Sequence, residues 1–149
     1  MERARILIAT FWAGSLWTTG YLVAPILFGT VFDGKIAGMI AANIFHVEAW
    51  VCIGCGVALA ASLKLQPTHF NAVDGRFLMR VILAMLACTV IGYFALQPFM
   101  AALREAAHAA EGGVMDAVSR RQFGLLHGAA MVFYLIESIL AGVLVLKVR

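Results

Sequence analysis

The sequence predicts an all-α integral membrane protein, an antiparallel bundle of four transmembrane helices with an extramembrane helical hairpin between helices three and four. Three observations lead to this fold. Of 149 residues, 63% are hydrophobic and only 13% are charged, whereas soluble domains are roughly 45–50% apolar. The apolar residues gather into four runs, about 6–32, 36–65, 77–97 and 124–146, each long enough to cross a hydrocarbon core of ~30 Å at 1.5 Å per residue. Between the third and fourth runs, over residues 98–123, the pattern turns alanine-rich and amphipathic. The whole chain, 1–149, forms a single domain on this reading.

The first run contains Trp12 and Trp17, the hydroxyl residues Ser15, Thr18, Thr19 and Tyr21, and Pro25. Proline removes a backbone donor and is expected to kink the helix. The basic start, Met1 to Arg5, resembles the n-region of a signal peptide, but the apolar run is too long and lacks a small-x-small cleavage site, so it reads as a retained anchor. Asp33-Gly34-Lys35 is a turn. The second run ends where Gln66-Pro67-Thr68 forbids further helix and opens a polar loop through Asp74-Gly75-Arg76. The third run spaces Ala84, Cys88 and Gly92 at four-residue intervals, a stripe of small residues that lets helix backbones approach. In the hairpin, Gly112-Gly113 breaks the helix, and Asp116 and Arg120 stand at the i, i+4 spacing of an exposed ion pair. The fourth run opens on Gly124-x-x-x-Gly128, a helix-packing motif, and ends on Lys147 and Arg149.

Charge placement sets an orientation. With the amino terminus inside, the cytoplasmic segments hold Arg3, Arg5, Lys64, Arg76, Arg80, Lys147 and Arg149, against Lys35, Arg104, Arg120 and Arg121 outside. The positive-inside rule favours this arrangement, with both termini cytoplasmic in a bacterial inner membrane. The net charge of +3 suits loops beside anionic lipid. No basic stretch is interleaved with exposed aromatics, so nucleic acid is not an expected partner. Three cysteines inside apolar runs do not make a disulfide framework. Enzyme activity is not expected either: there is no nucleophile-base-orienter set and no His-Glu-x-x-His spacing.

Ionisable residues inside a membrane mark candidate functional sites, because burying charge in hydrocarbon costs several kcal/mol. Glu48 and Glu137 come out level, each roughly 18–20 Å in from the outer end of its span. If spans two and four pack together, the carboxyls share a proton or a cation. The alternative is packing glue, with each acid protonated and bonded to Tyr134, Thr18, Ser138 or a carbonyl freed near Pro25. Glu48, Cys52 and Cys55 lie on one face of span two, and His46 points nearly the opposite way. On span four, His127, Met131, Tyr134 and Ser138 form a stripe beside Glu137. Cys52-x-x-Cys55, Cys88, Met85 and Met131 are soft donors suited to monovalent copper, though equally ordinary core fillers.

The first span, Thr10-Phe-Trp-Ala-Gly-Ser-Leu-Trp-Thr-Thr-Gly20 through Ala24-Pro25-Ile-Leu-Phe28, together with Phe123-Gly-Leu-Leu-His127-Gly128, resembles the four-helix membrane family related to transmembrane protein 205. The likeness runs over nearly the whole chain and implies fold and topology, since that family is largely of unknown function. Its His-Gly pair carries over to His127 and Gly128, whereas His46 and the Cys52 and Cys55 pair have no counterpart in it. A more distant, fold-level likeness joins the Trp-x-Gly and Ala-Pro-x-x-Phe pattern to small bacterial helical proteins of copper or b-type haem handling.

Three functional readings follow. In the first, Glu48 and Glu137, with Thr18, Tyr134 and His127, hold a proton, cation or small solute between helices; so short a chain is expected to form a homo-oligomer or to join another membrane protein. In the second, His127 with His46 or Met131 ligates haem b, or the Cys52 and Cys55 set holds copper, although His46 lies about 8 Å deeper than His127 on an ideal-rise count. In the third, the protein is a non-catalytic accessory subunit whose outer hairpin docks a partner through Phe99, Met100 and Leu103.

Overall fold

The computed structural model describes residues 2–65, 72–109 and 114–148. The breaks expected at Gln66-Pro67-Thr68 and at Gly112-Gly113, and the basic Arg149, lie outside them. Among the described residues all regular structure is helical, and no strand occurs. Four helical stretches are long and apolar enough to cross a membrane: Glu2–Thr30, Gly34–Leu65, Asp74–Ala107 and Ala117–Lys147. This is the signature of a multi-pass protein of the lipid bilayer.

Helix α1 (Glu2–Trp17) passes through a π-helical segment (Thr18–Val23) into α2 (Ala24–Thr30), and the three form the first span. The second span is α3 (Gly34–Leu65). The third is α4 (Ala72–Thr89), a second π-helical segment (Val90–Ala95) and most of α5 (Gln97–Ala109); the fourth is α6 (Ala117–Lys147). Both wide segments stand just before a proline. In a regular α-helix the ring of Pro25 would strike the carbonyl of Tyr21, and that of Pro98 the carbonyl of Phe94. Tyr21 and Phe94 each lie inside the π-helical segment that precedes the proline. The extra residue in the turn makes room for the ring, so the expected kink at Pro25 takes the form of a π-bulge.

Several helices begin earlier than hydropathy places them, because the apolar boundary marks the edge of the hydrocarbon and not the end of the helix. Only residues 31–33 separate α2 from α3. Asp33 accepts from the backbone N–H of Lys35 at 2.8 Å, a helix-capping contact. Over the stretch 98–123, where an extramembrane hairpin is expected, most of α5 continues the third span and the opening of α6 is continuous with the fourth. The expected Asp116 and Arg120 pair also gives way to a cap. Asp116 accepts from the N–H groups of Val118 and Ser119 at 2.9 and 3.0 Å and from the Ser119 hydroxyl at 2.6 Å, while Arg120 donates to the Met115 carbonyl.

The spans close on one another pairwise. α1 packs against α3 and α6, and α4 packs against the same two helices. Trp12, Leu16, Leu59, Leu78, Ile82, Met85 and Leu144 are fully buried between them. Two glycines set close approaches to α6. A Cβ on Gly20 would stand 2.3 Å from the Tyr134 ring, and one on Gly92 would stand 2.9 Å from the Cβ of Phe133. Gly92 therefore does what the small-residue stripe of span three suggests. Gly124 and Gly128 do not: neither has an atom within 4 Å of a built Cβ, so this motif packs against nothing described in its own chain.

Two tests follow from this packing. The Tyr134 ring is held by a hydrogen bond to the Leu16 carbonyl and cannot swing aside, so Gly20→Ala lowers stability in detergent by ~1–3 kcal/mol. Gly14→Ala, with nothing within 4 Å, leaves the thermal midpoint unchanged or raises it. The hydrogen bonds at Asp116 favour its charged form and hold its carboxyl below the ordinary aspartate value. Its contribution to the start of α6 is complete above the unfolded-state pKa and is lost as pH falls through the lower folded-state value. In a carboxyl NMR titration, the Asp116 midpoint lies below that of an aspartate in a denatured peptide, and Ser119→Ala moves it upward.

Candidate functional site

A carboxylate placed among apolar helices needs hydrogen-bond donors, and two spans supply them to Glu48. The Ser15 hydroxyl donates to its Oε1 at 3.0 Å and the Thr19 hydroxyl to its Oε2 at 3.2 Å. One turn along α3, the Cys52 thiol donates to Oε1 at 3.7 Å. Glu48 is 7% exposed and lies near the middle of its helix. Helical periodicity explains the set: Ser15 and Thr19 are one turn apart on the first span, as Glu48 and Cys52 are on the second.

Glu137, on the fourth span, is 4% exposed. Thr89, the last residue of α4, donates to its Oε1 at 2.7 Å. Cys52 stands close to this carboxyl as well. All four spans thus contribute to one buried polar cluster, and Cys52 stands at its centre. Trp12 closes it from the first span; its buried indole nitrogen has no hydrogen-bond partner among the described residues. Among the described residues neither carboxyl forms an ion pair with Lys, Arg or His.

Two of the hydroxyl donors have a second acceptor. Ser15 Oγ lies 3.0 Å from the Trp12 carbonyl and 3.0 Å from Glu48. Thr89 Oγ1 lies 3.2 Å from the Met85 carbonyl and 2.7 Å from Glu137. A hydroxyl has one hydrogen to give. Rotation of the O–H alone therefore switches each donor between its own helix and the acid.

The remaining candidates fall elsewhere. Thr18 is exposed, and the hydroxyl that reaches Glu48 belongs to its neighbour Thr19, which the sequence reading did not single out for the site. Thr89 was also missed; a threonine inside an apolar run carries no distinguishing signal. Tyr134 packs edge-on against Phe45 and Tyr21 and bonds the Leu16 carbonyl, not an acid. Ser138 is buried, and its carbonyl accepts from the Trp17 indole at 3.2 Å. His46 is exposed on α3, with Nδ1 3.1 Å from the Tyr93 hydroxyl. His127 is exposed and stacked on Phe123 with rings 8° from parallel. Met131 is 60% exposed, Cys52 and Cys88 are buried, and Cys55 is half-buried. Among the described residues no three His, Cys, Asp or Glu side chains are grouped to hold a metal ion. The cleft beside Thr19, lined by Val23, Ala24, Leu27, Ala41, Ile44 and Phe45, has no room for a water molecule.

The hydrogen bonds set an expected pattern of stability. Thr19→Val, which takes one donor from a buried acid, lowers stability by ~1–3 kcal/mol. Thr18→Val, on the exposed side, stays within ~0.5 kcal/mol of the parent. Thermal unfolding of both variants in one detergent makes the comparison.

Residues 7–109 match the model of a domain of unknown function, DUF4149. No curated protein and no solved structure matches the chain.

Proposed function

The chain belongs to the DUF4149 family, whose function is undefined, and we propose that this member is a multi-pass inner-membrane protein that takes up and releases protons at the Glu48 and Glu137 cluster. The observation that carries this reading is the pair of two-way hydroxyls. When Glu48 is ionised, Ser15 donates to it; when it is protonated, Ser15 turns to the Trp12 carbonyl and its oxygen accepts from the acid. Thr89 serves Glu137 in the same way between the Met85 carbonyl and the carboxyl. Both protonation states are then hydrogen-bonded with no movement of heavy atoms, which lowers the cost of exchanging a proton in a low-dielectric core. The tight adjacent cleft favours a proton over a hydrated cation or a small solute. The role is one of proton handling, not of catalysis on a substrate.

The topology we propose is the antiparallel bundle, with both termini cytoplasmic and the end of α5 and the start of α6 on the outer side. Contacts between spans support it. Arg5 bonds the Ser62 carbonyl at 2.6 Å, while Ser15 and Thr19 meet Glu48, so partners ascend one helix as they descend the other. On the same footing His46 meets Tyr93, and Arg104 reaches the Gly38 carbonyl. The excess of Lys and Arg on the side of the termini supports the orientation. Kinship with transmembrane protein 205 belongs to this proposal too, resting on the motifs of the first and fourth spans.

Infrared difference spectra during a pH titration in lipid vesicles test the reading. The protonated carbonyl stretch of a buried carboxylic acid is expected to appear and vanish with pH. It should be lost in part in Glu48→Gln and in part in Glu137→Gln, with proton flux into vesicles abolished and helical content kept. Wild-type spectra with no titrating carboxyl band from either residue, or Gln variants that lose only thermal stability, would leave the cluster as structural glue.

A further inference from the structure

The outward face of α3 carries a seven-residue repeat that its own chain covers only in part, where Trp50 meets Phe94 and His46 meets Tyr93. Ile36, Asn43, Trp50 and Val57 recur every seventh residue, Met39 and His46 follow three later, and all six are exposed. Seven-residue spacing of this kind is the seam of a left-handed helix pair. Two members of the seam are polar. With a ~30 Å core centred on α3, Asn43 lies about 5 Å and His46 about 10 Å inside the hydrocarbon at 1.5 Å per residue. His46 has one ring nitrogen occupied by Tyr93 and is exposed. Among the described residues the Asn43 amide has no hydrogen-bond partner. Gly54, on the same face, has nothing within 4 Å of a built Cβ, so another backbone can come close.

Uncompensated polar groups in hydrocarbon drive helix association, and the chemistry of Asn43 selects the partner. We propose that this face is a homodimer interface in which α3 pairs with α3 of a second copy, joined by an Asn43 to Asn43 hydrogen bond. Two copies inserted in the same orientation and related by a twofold axis along the membrane normal present the same residue at the same depth. Only a side chain that is both donor and acceptor can then pair with itself, and a carboxamide is one. A single asparagine in an apolar seam also fixes register and oligomeric state. The inference does not rest on the proton reading, since neither Asn43 nor His46 hydrogen-bonds Glu48 or Glu137 among the described residues.

The test is energy transfer between donor- and acceptor-labelled copies in lipid vesicles, read as protein is diluted with lipid. The wild type is expected to associate, Asn43→Leu to associate on the order of tenfold more weakly, and Asn43→Gln to retain most of the affinity. Asn43 is exposed and makes no hydrogen bond among the described residues, so the Leu variant keeps its helical content, which circular dichroism verifies. Oxidative cross-linking supplies the second arm. Asn43→Cys is expected to form a disulfide-linked dimer, and Leu125→Cys, on the outward face of α6, is not. A monomeric wild type, an Asn43→Leu variant as tightly associated as the wild type, or cross-linking at residue 125 in preference to residue 43 would each overturn the proposal.

Discussion

The burial of two carboxyls inside a hydrocarbon-solvated protein is the constraint from which the interior arrangement follows. Hydrocarbon offers them no donor, so each must find one on a neighbouring helix. Glu48 draws the first span to the second through Ser15 and Thr19, and Glu137 draws the third to the fourth through Thr89. Apolar packing alone does little to choose helix partners in a bilayer, because lipid tails are as apolar as leucine. Polar contacts at fixed heights give the register that packing lacks. Cys52, close to both acids, turns two pairwise contacts into one cluster.

The approach of Gly20 to Tyr134 works alongside this. Tyr134 reaches across to the Leu16 carbonyl, which brings the fourth span against the first, and the missing Cβ at Gly20 admits the ring. The π-helical segment Thr18–Val23 covers the same stretch. It holds Thr19, which bonds Glu48, and Gly20, which admits Tyr134. A bulge explained locally by Pro25 therefore sits where the first span meets both of its neighbours.

Membrane character and the four spans were legible in the sequence because hydrocarbon imposes length and composition directly. The helix ends were less so: α6 begins at Ala117, where Asp116 caps it, seven residues before the apolar run. Glu48 and Glu137 stood out as acids in apolar sequence. Their partners did not, since Thr18 and Thr19 differ only in the side of the helix each occupies, and a π-helical turn shifts that side by an amount no simple period supplies. The Glu137 partner, Thr89, lies 48 residues away on another span, and nothing local marks it. Position alone separated the histidines from the acids: His46 lies two residues from Glu48 on the same helix, yet on its exposed side.

The two-way hydroxyls also bear on biogenesis. Ser15 and Thr89 each have a carbonyl of their own helix within reach, so these two hydroxyls are already satisfied when their spans enter the bilayer ahead of their neighbours. The acids have no such local refuge. Glu48 arrives after Ser15 and Thr19, and Glu137 after Thr89, so in both pairs the donor is laid down first and the acid enters last. Each carboxyl crosses the lipid most cheaply as the neutral acid and meets its hydroxyl partner only on docking. Any charge the cluster carries is thus acquired after assembly, inside a protein that already supplies the donors.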